Sequence, residues 1–261
     1  MVSILKDGVL EPWVSDLRSS SPRLPAHEGR ESIMAKYMND EVAYYYDSHP
    51  TGEDLMGETA PHSRLVHYLM EVLTQLFHGQ ACALYENFNF YQTNDPMEPP
   101  LVPDIALIKG VEERDLQELK SWRVGKTGPA PQVVFEIASE ETWKKDLEEK
   151  PDRYARMGVK EYFAYDPNKR PLRRSRTGAR RLFGWQLDPE HRVMREMPAG
   201  PDGRIWSFYL QSWLVPDGRS LRLYDNQGNL RLTAAETEAK RSEALAEKLR
   251  SLGIDPDQIS F

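Results

Sequence analysis

Leu65, Leu69, Val72, Leu73 and Leu76 recur at helical spacing behind a Thr59/Pro61 start signal, and Gly79 is a plausible stop. That pattern predicts a helix opening near Thr59 or Pro61. Beyond it the apolar residues gather in short runs instead, at about 82–92, 102–109, 132–138 and 161–166, each reading as a strand. A longer β-rich region covers about 180–232, punctuated by Asp188-Pro189, Gly200-Pro201-Asp202-Gly203, Pro216-Asp217-Gly218 and Asp225-Asn226-Gln227-Gly228. Thr233-Ala234-Ala235-Glu236 is a capping box, and the helix it opens should run to about Leu252 and end at Gly253, with Pro256 beyond. Its apolar stripe is only Leu245, Leu249 and Leu252, so the helix should project or pair with a partner. Residues 1–60 form an N-terminal extension that reads as partly irregular, residues 61–232 the main α/β domain, and 233–261 the charged C-terminal helix and tail.

Composition narrows this only a little. Of 261 residues, 39% are hydrophobic and 29% charged, enough for a sizeable core. No apolar stretch approaches the roughly 20 residues that cross a bilayer. The apolar patch of Met1-Val2-Ser3-Ile4-Leu5 is too short for a signal-peptide core. Cys82 is the single cysteine, which removes internal disulfides and cysteine-based zinc sites and makes a cytoplasmic location the expectation. The formal charge of −7 weighs against a wholly nucleic-acid-coated surface but leaves room for a local basic groove. Residues 169–181 carry seven cations and no acid. They read either as a solvated loop or as a phosphate-contacting arm, with Arg173, Arg174 and Arg176 as candidate substrate ligands.

Two of the strand-like runs each carry one carboxylate: Asp104 in Leu101–Ile108 and Glu136 in Gln132–Ser139. An ionised carboxylate in a strand core is costly without a cation, a donor or a metal. Alternation puts Glu136 on the face of Val134 and Ala138, and Asp104 on that of Val102, Ala106 and Ile108. If the strands are neighbours, the two acids can converge on one hard cation such as magnesium, which is often held by only one or two carboxylates. The alternative is that each acid pairs with an Arg or caps a backbone group. Asp146, Lys150 and Tyr154 follow at i, i+4 and i+8, on one helix face provided the helix is continuous. Pro151 requires either a helix start near Lys150 or a kink there. His62 and His67 lack the spacing of a zinc motif, although His62 could line a cleft as an accessory residue. Gly125-Lys126-Thr127 lacks the first glycine of a phosphate-binding loop, and no nucleophile elbow is present. Trp206, Phe208, Tyr209 and Trp213 read as sheet core.

The ordered run Val102-Pro103-Asp104, Val134-Phe135-Glu136-Ile137-Ala138-Ser139, Asp146…Lys150…Tyr154-Ala155-Arg156-Met157-Gly158 and Asp166-Pro167 resembles the Uma-two family of restriction endonucleases, within the PD-(D/E)XK nuclease superfamily. The resemblance covers roughly 60–215. It implies a restriction-endonuclease-like fold: a central mixed β-sheet flanked by helices, here with a projecting C-terminal helix. It also implies a magnesium-dependent endonuclease acting on DNA, with manganese as a substitute metal. Asp104, Glu136 and the Ile137 carbonyl would hold the metal, and the superfamily lysine expected two residues after the Glu is Ala138 here. Lys150 is its stand-in, with Lys144 and Lys145 as rivals. The competing expectations are a catalytically silent nucleic-acid-binding or protein-interaction member of the same fold, and a small-molecule phosphodiesterase. A homodimer and a partner for the C-terminal helix stay open.

Overall fold

The computed structural model describes residues 43–44, 60–92, 99–111, 119–139, 142–168, 173–175 and 178–256, without the side chains of 43–44, 173–175 and 178–179. Apart from residues 43–44 and Ala60, the expected N-terminal extension therefore lies outside the described residues, as does Arg176. The described residues belong to one compact unit, Val42–Phe261.

The helical stripe read from the sequence is α1 (Ala60–Leu76), which buries Leu65, Val66, Leu69, Val72 and Leu73. Most strand-like runs are strands: β2 (Cys82–Glu86), β4 (Ile105–Lys109), β6 (Val133–Ile137) and β7 (Glu161–Tyr165). With β10 (Leu182–Asp188) and β11 (Val193–Glu196) they make a six-stranded sheet in the order β11-β10-β7-β6-β4-β2. Only the β6–β7 pair is parallel, so the sheet is mixed, as expected. The run at 82–92 is two strands rather than one: Asn87, with φ at +49°, breaks it before the short β3 (Phe90–Tyr91), which pairs with β5 (Trp122–Arg123). Alternation along β4 and β6 divides the core. Ile105, Leu107, Val133, Phe135 and Ile137 meet α1 on one face, and Ala106, Ile108, Val134 and Ala138 face a second cluster on the other.

Parallel neighbours need a crossover connection. Here it is a helix containing one wide turn, Lys145–Glu149, followed by α2 (Lys150–Met157). In the wide turn the Lys150 N–H bonds to the Lys145 carbonyl, five residues back. This resolves the difficulty posed by Pro151. A proline ring clashes with the carbonyl four residues earlier, and widening the turn just before α2 relieves that clash while Pro151 sits in α2's first turn. The regular α-helix thus begins at Lys150, the first of the two expected alternatives, and the wide turn joins it to the preceding residues. Gly158, at φ +90°, ends it in the left-handed conformation that glycine adopts without strain.

A smaller antiparallel sheet of β12 (Ile205–Ser207), β13 (Ser212–Asp217) and β14 (Ser220–Tyr224) closes the α1 side of the core through Ile205, Leu214, Leu221 and Leu223. Buried Glu161 anchors it, accepting hydrogen bonds from the Ser207 hydroxyl and from Phe208 N–H at 2.8 Å. The aromatic residues of this region depart from expectation. Since Ile205 and Ser207 point inward, Trp206 points out, meeting Trp213 across the strands at 5.3 Å. Phe208, in the connecting turn, is 55% exposed, and only Tyr209 packs against the core. The basic segment also departs from a plain loop, because its backbone forms β8 (Arg173–Ser175) and β9 (Gly178–Arg180), with β8 also pairing with β1 (Ala43–Tyr44).

The C-terminal helix α3 (Ala234–Ser251) forms as read. The Thr233 hydroxyl accepts from Glu236 N–H at 3.1 Å, and Glu236 accepts from Thr233 N–H at 2.9 Å. None of its residues is buried, and Leu245 and Leu252 are 56% and 64% exposed. Losing a cap costs about 1 kcal/mol, and in a helix that buries nothing this loss stays local. Thr233→Ala is therefore expected to speed amide hydrogen exchange in the first turns of α3 about fivefold, with little change in the urea midpoint of the whole chain.

Candidate active site

Asp104 lies one residue before β4 and Glu136 is the penultimate residue of β6, and because these strands pair antiparallel the two acids occupy the same end of the sheet. Register Ile105↔Phe135 and Ala106↔Val134 puts both on the face that carries Ala106 and Val134, as alternation predicts. Asp104 is fixed by its neighbour: Oδ2 accepts the Ile137 N–H at 2.5 Å, and Oδ1 lies 3.3 Å from His62 Nε2 in the first turn of α1. His62 thus joins the site from the helix packed on the opposite face.

The crossover helix supplies the rest. Lys150 Nζ lies 2.8 Å from Glu136 Oε1 and 2.7 Å from Asp146 Oδ1, and the Tyr154 hydroxyl donates to the same Glu136 oxygen at 2.6 Å. Asp146, which is buried, also accepts from the Thr142 hydroxyl at 2.6 Å, while the Tyr162 hydroxyl binds the Asp146 carbonyl at 2.7 Å. The three positions spaced by four in the sequence do converge. Lys144 and Lys145 are exposed, with Lys144 lying over the Trp143 ring, so of the three candidate lysines it is Lys150 that reaches Glu136. Ala138, where the superfamily lysine would stand, is buried against the apolar cluster. Sequence spacing puts Asp146 only on the helix face of Lys150. Its burial comes from tertiary packing, which no periodicity signals. The side chains of Arg173 and Arg174 lie outside the described residues.

The charges do not balance. One lysine stands between two buried carboxylates, with Asp104 close by. Burial is the largest influence on Glu136 and pushes its carboxyl up to about 8, with Lys150 opposing and Asp146 and Asp104 reinforcing the rise. Burial likewise raises Asp146, while for Lys150 the two carboxylates outweigh burial and raise it. Near neutral pH the surplus negative charge is thus relieved by a proton on Glu136. A hard cation would relieve it equally, and paired carboxylate oxygens are the donor chemistry that suits magnesium. The described residues contain no group of three or more His, Cys, Asp or Glu side chains able to hold a metal. A cation here would take two carboxylates, with water, backbone or substrate oxygens completing its shell.

A family model described as "Putative restriction endonuclease", that of Uma2, matches residues 33–197, well over half of the chain. The chain belongs to the Uma2 family. The resemblance carried by its motifs is therefore a membership. No curated protein matches the chain. Among solved structures, a crystal structure described as "a putative nuclease belonging to DUF820 from Anabaena variabilis ATCC 29413" is similar with a TM-score of 0.40 and 13% identity, covering 59% of this chain and 76% of that one. The Uma2 assignment rests on the family match. No described helix is long and apolar enough to cross a membrane.

A carboxyl whose folded pKa is raised binds its proton more tightly folded than unfolded. Its contribution to stability is full below the ordinary value of 4.5 and is lost as pH rises toward about 8. In chelator, the urea midpoint is expected to fall over that interval, and Glu136→Gln is expected to remove the larger part of the fall. An unchanged slope in the variant would assign the proton elsewhere.

Proposed function

We propose that this Uma2 chain is a magnesium-dependent endonuclease that hydrolyses DNA phosphodiester bonds. The observation that carries the reading is the contact of Lys150 with Glu136, which restores from a helix the cation missing at Ala138. Asp104 and Glu136 would hold the metal, helped by the Ile137 carbonyl. Once bound, magnesium would polarise a phosphate oxygen and acidify a coordinated water. Lys150 is placed to stabilise an attacking hydroxide and to offset the charge that builds on the phosphate. Asp146 holds Lys150 from behind, through Oδ1, and Thr142 fixes the other Asp146 oxygen. Tyr154 holds Glu136 in line with that lysine, and His62 restrains Asp104. The Glu136 proton must leave before its carboxylate can take a cation, so metal uptake should release a proton.

The same site without hydrolysis would make the protein a silent nucleic-acid binder. Missing lysine at position 138 favoured that reading, and Lys150 weakens it. Calorimetry with magnesium or manganese, followed by nicking of supercoiled plasmid with and without chelator, separates the two. Asp104→Asn is expected to lose metal binding and cleavage together. Lys150→Gln is expected to keep metal binding within a few-fold and lose about 100-fold or more in rate. Wild-type protein that binds metal and DNA yet nicks nothing would leave only the silent binder.

A further inference from the structure

A second chemical feature shares this end of the sheet with the carboxylates. A cavity of about 250 Å³ opens between the first turns of α1 and the β13–β14 turn, with Arg64 and Tyr68 on one wall and Asp217, Arg219 and Ser220 on the other. At about 30 Å³ per liquid water it has room for roughly eight waters, or for a solvated phosphodiester. Arg64 and Arg219 are both exposed, and neither pairs with a carboxylate among the described residues. Nearby cations are already occupied: Arg222 lies over the Tyr68 ring at 5.0 Å and is 3.0 Å from Glu236. Arg181 binds the Gly218 carbonyl and stacks over Tyr165, which steadies the turn carrying Arg219. Against the single acid Asp217, the cavity thus keeps two spare guanidiniums on a chain whose net charge is −7.

Its position is what gives those charges meaning. Pro61, at the cavity edge, directly precedes His62, which contacts Asp104. Ser220 on the far wall accepts the Tyr165 hydroxyl at 2.8 Å, and Tyr165 pairs with Ile137 at the strand end that carries Glu136. Arg64 lies two residues beyond His62, about 200° around the α1 axis, so it faces the cavity while His62 faces Asp104. Both positions belong to the end of the sheet where Ile137 and Tyr165 pair. A strand crossing Asp104 and Glu136 and rounding the start of α1 would reach the cavity a few nucleotides farther on. A guanidinium fork matches phosphate geometry better than any other side chain.

We propose that Arg64 and Arg219 clamp a backbone phosphate of the nucleic-acid strand that crosses Asp104 and Glu136, a few nucleotides from the phosphate held there. This subsite rests on the nuclease reading and adds to it the path of the substrate. Because the contact is to phosphate, it is independent of base sequence and sensitive to salt.

The test is fluorescence anisotropy of labelled duplex and single-stranded DNA against the full chain, in chelator, over a range of salt concentrations. Arg64→Glu and Arg219→Glu are each expected to weaken binding about tenfold and to lower the log–log salt slope by about one. Arg241→Glu, the same charge change on exposed α3, is expected to shift binding less than twofold. Arg64→Gln and Arg219→Gln, compared at matched urea midpoints, guard against misfolding and should show a smaller loss of the same kind. If both glutamate variants bind as the Arg241 control does, or if inorganic phosphate at millimolar concentration fills the cavity without displacing DNA, the clamp is overturned. Wild-type protein that binds neither DNA overturns the nuclease reading and the clamp together. Normal binding and cleavage by all variants overturns the clamp alone.

Discussion

One ammonium group held between two buried carboxylates organises this end of the molecule. Lys150 cannot neutralise both Glu136 and Asp146, and Asp104 adds a third acid to the same neighbourhood. Burial makes that surplus expensive, because a partly dry site strengthens every unbalanced interaction. The surrounding residues read as a response to it. Tyr154 and Thr142 each donate a short hydrogen bond to a carboxylate, and Tyr162 secures the backbone that carries Asp146. A proton on Glu136 can complete the balance, and in the proposed nuclease a divalent cation would take its place.

The other end of the sheet shows what a structural carboxylate looks like here. Glu161 opens β7, is fully buried, and is satisfied by a hydroxyl and backbone N–H groups from the β12–β13 turn. Lys109 stands near enough to be felt, yet its ammonium is committed to the Tyr209 carbonyl at 2.7 Å. Neutral donors close that site and leave no need for an added cation. Two buried acids in one sheet thus have different surroundings: Glu161 joins two sheets, while Glu136 shares a lysine and retains a surplus charge.

Much of this was readable in the sequence where one period dominates. The stripe Leu65 to Leu76 gave α1, the apolar runs around Asp104 and Glu136 gave adjoining central strands, and the Thr233–Glu236 box gave the start of α3. Spacing by four correctly grouped Asp146, Lys150 and Tyr154. What escaped depends on tertiary context. The two-residue β5 exists because Trp122 is buried and paired beside Phe90, which no local pattern encodes. Trp206 and Trp213 looked like core by composition, but the inward turn of Ile205 and Leu214 sends them outward. Arg64 and Arg219 are 155 positions apart in sequence, and only the packing of α1 on β14 makes them neighbours across a cavity.

The wide turn at Lys145–Glu149 fixes where the lysine points by counting residues rather than by their chemistry. Each residue of an α-helix advances the chain by about 100° around its axis. The wide turn closes its hydrogen bond over five residues where an ordinary turn uses four, so it takes up one residue more per turn and still leaves Asp146 in reach of Lys150. Length in this short span is thus as much a component of the site as the carboxylates themselves.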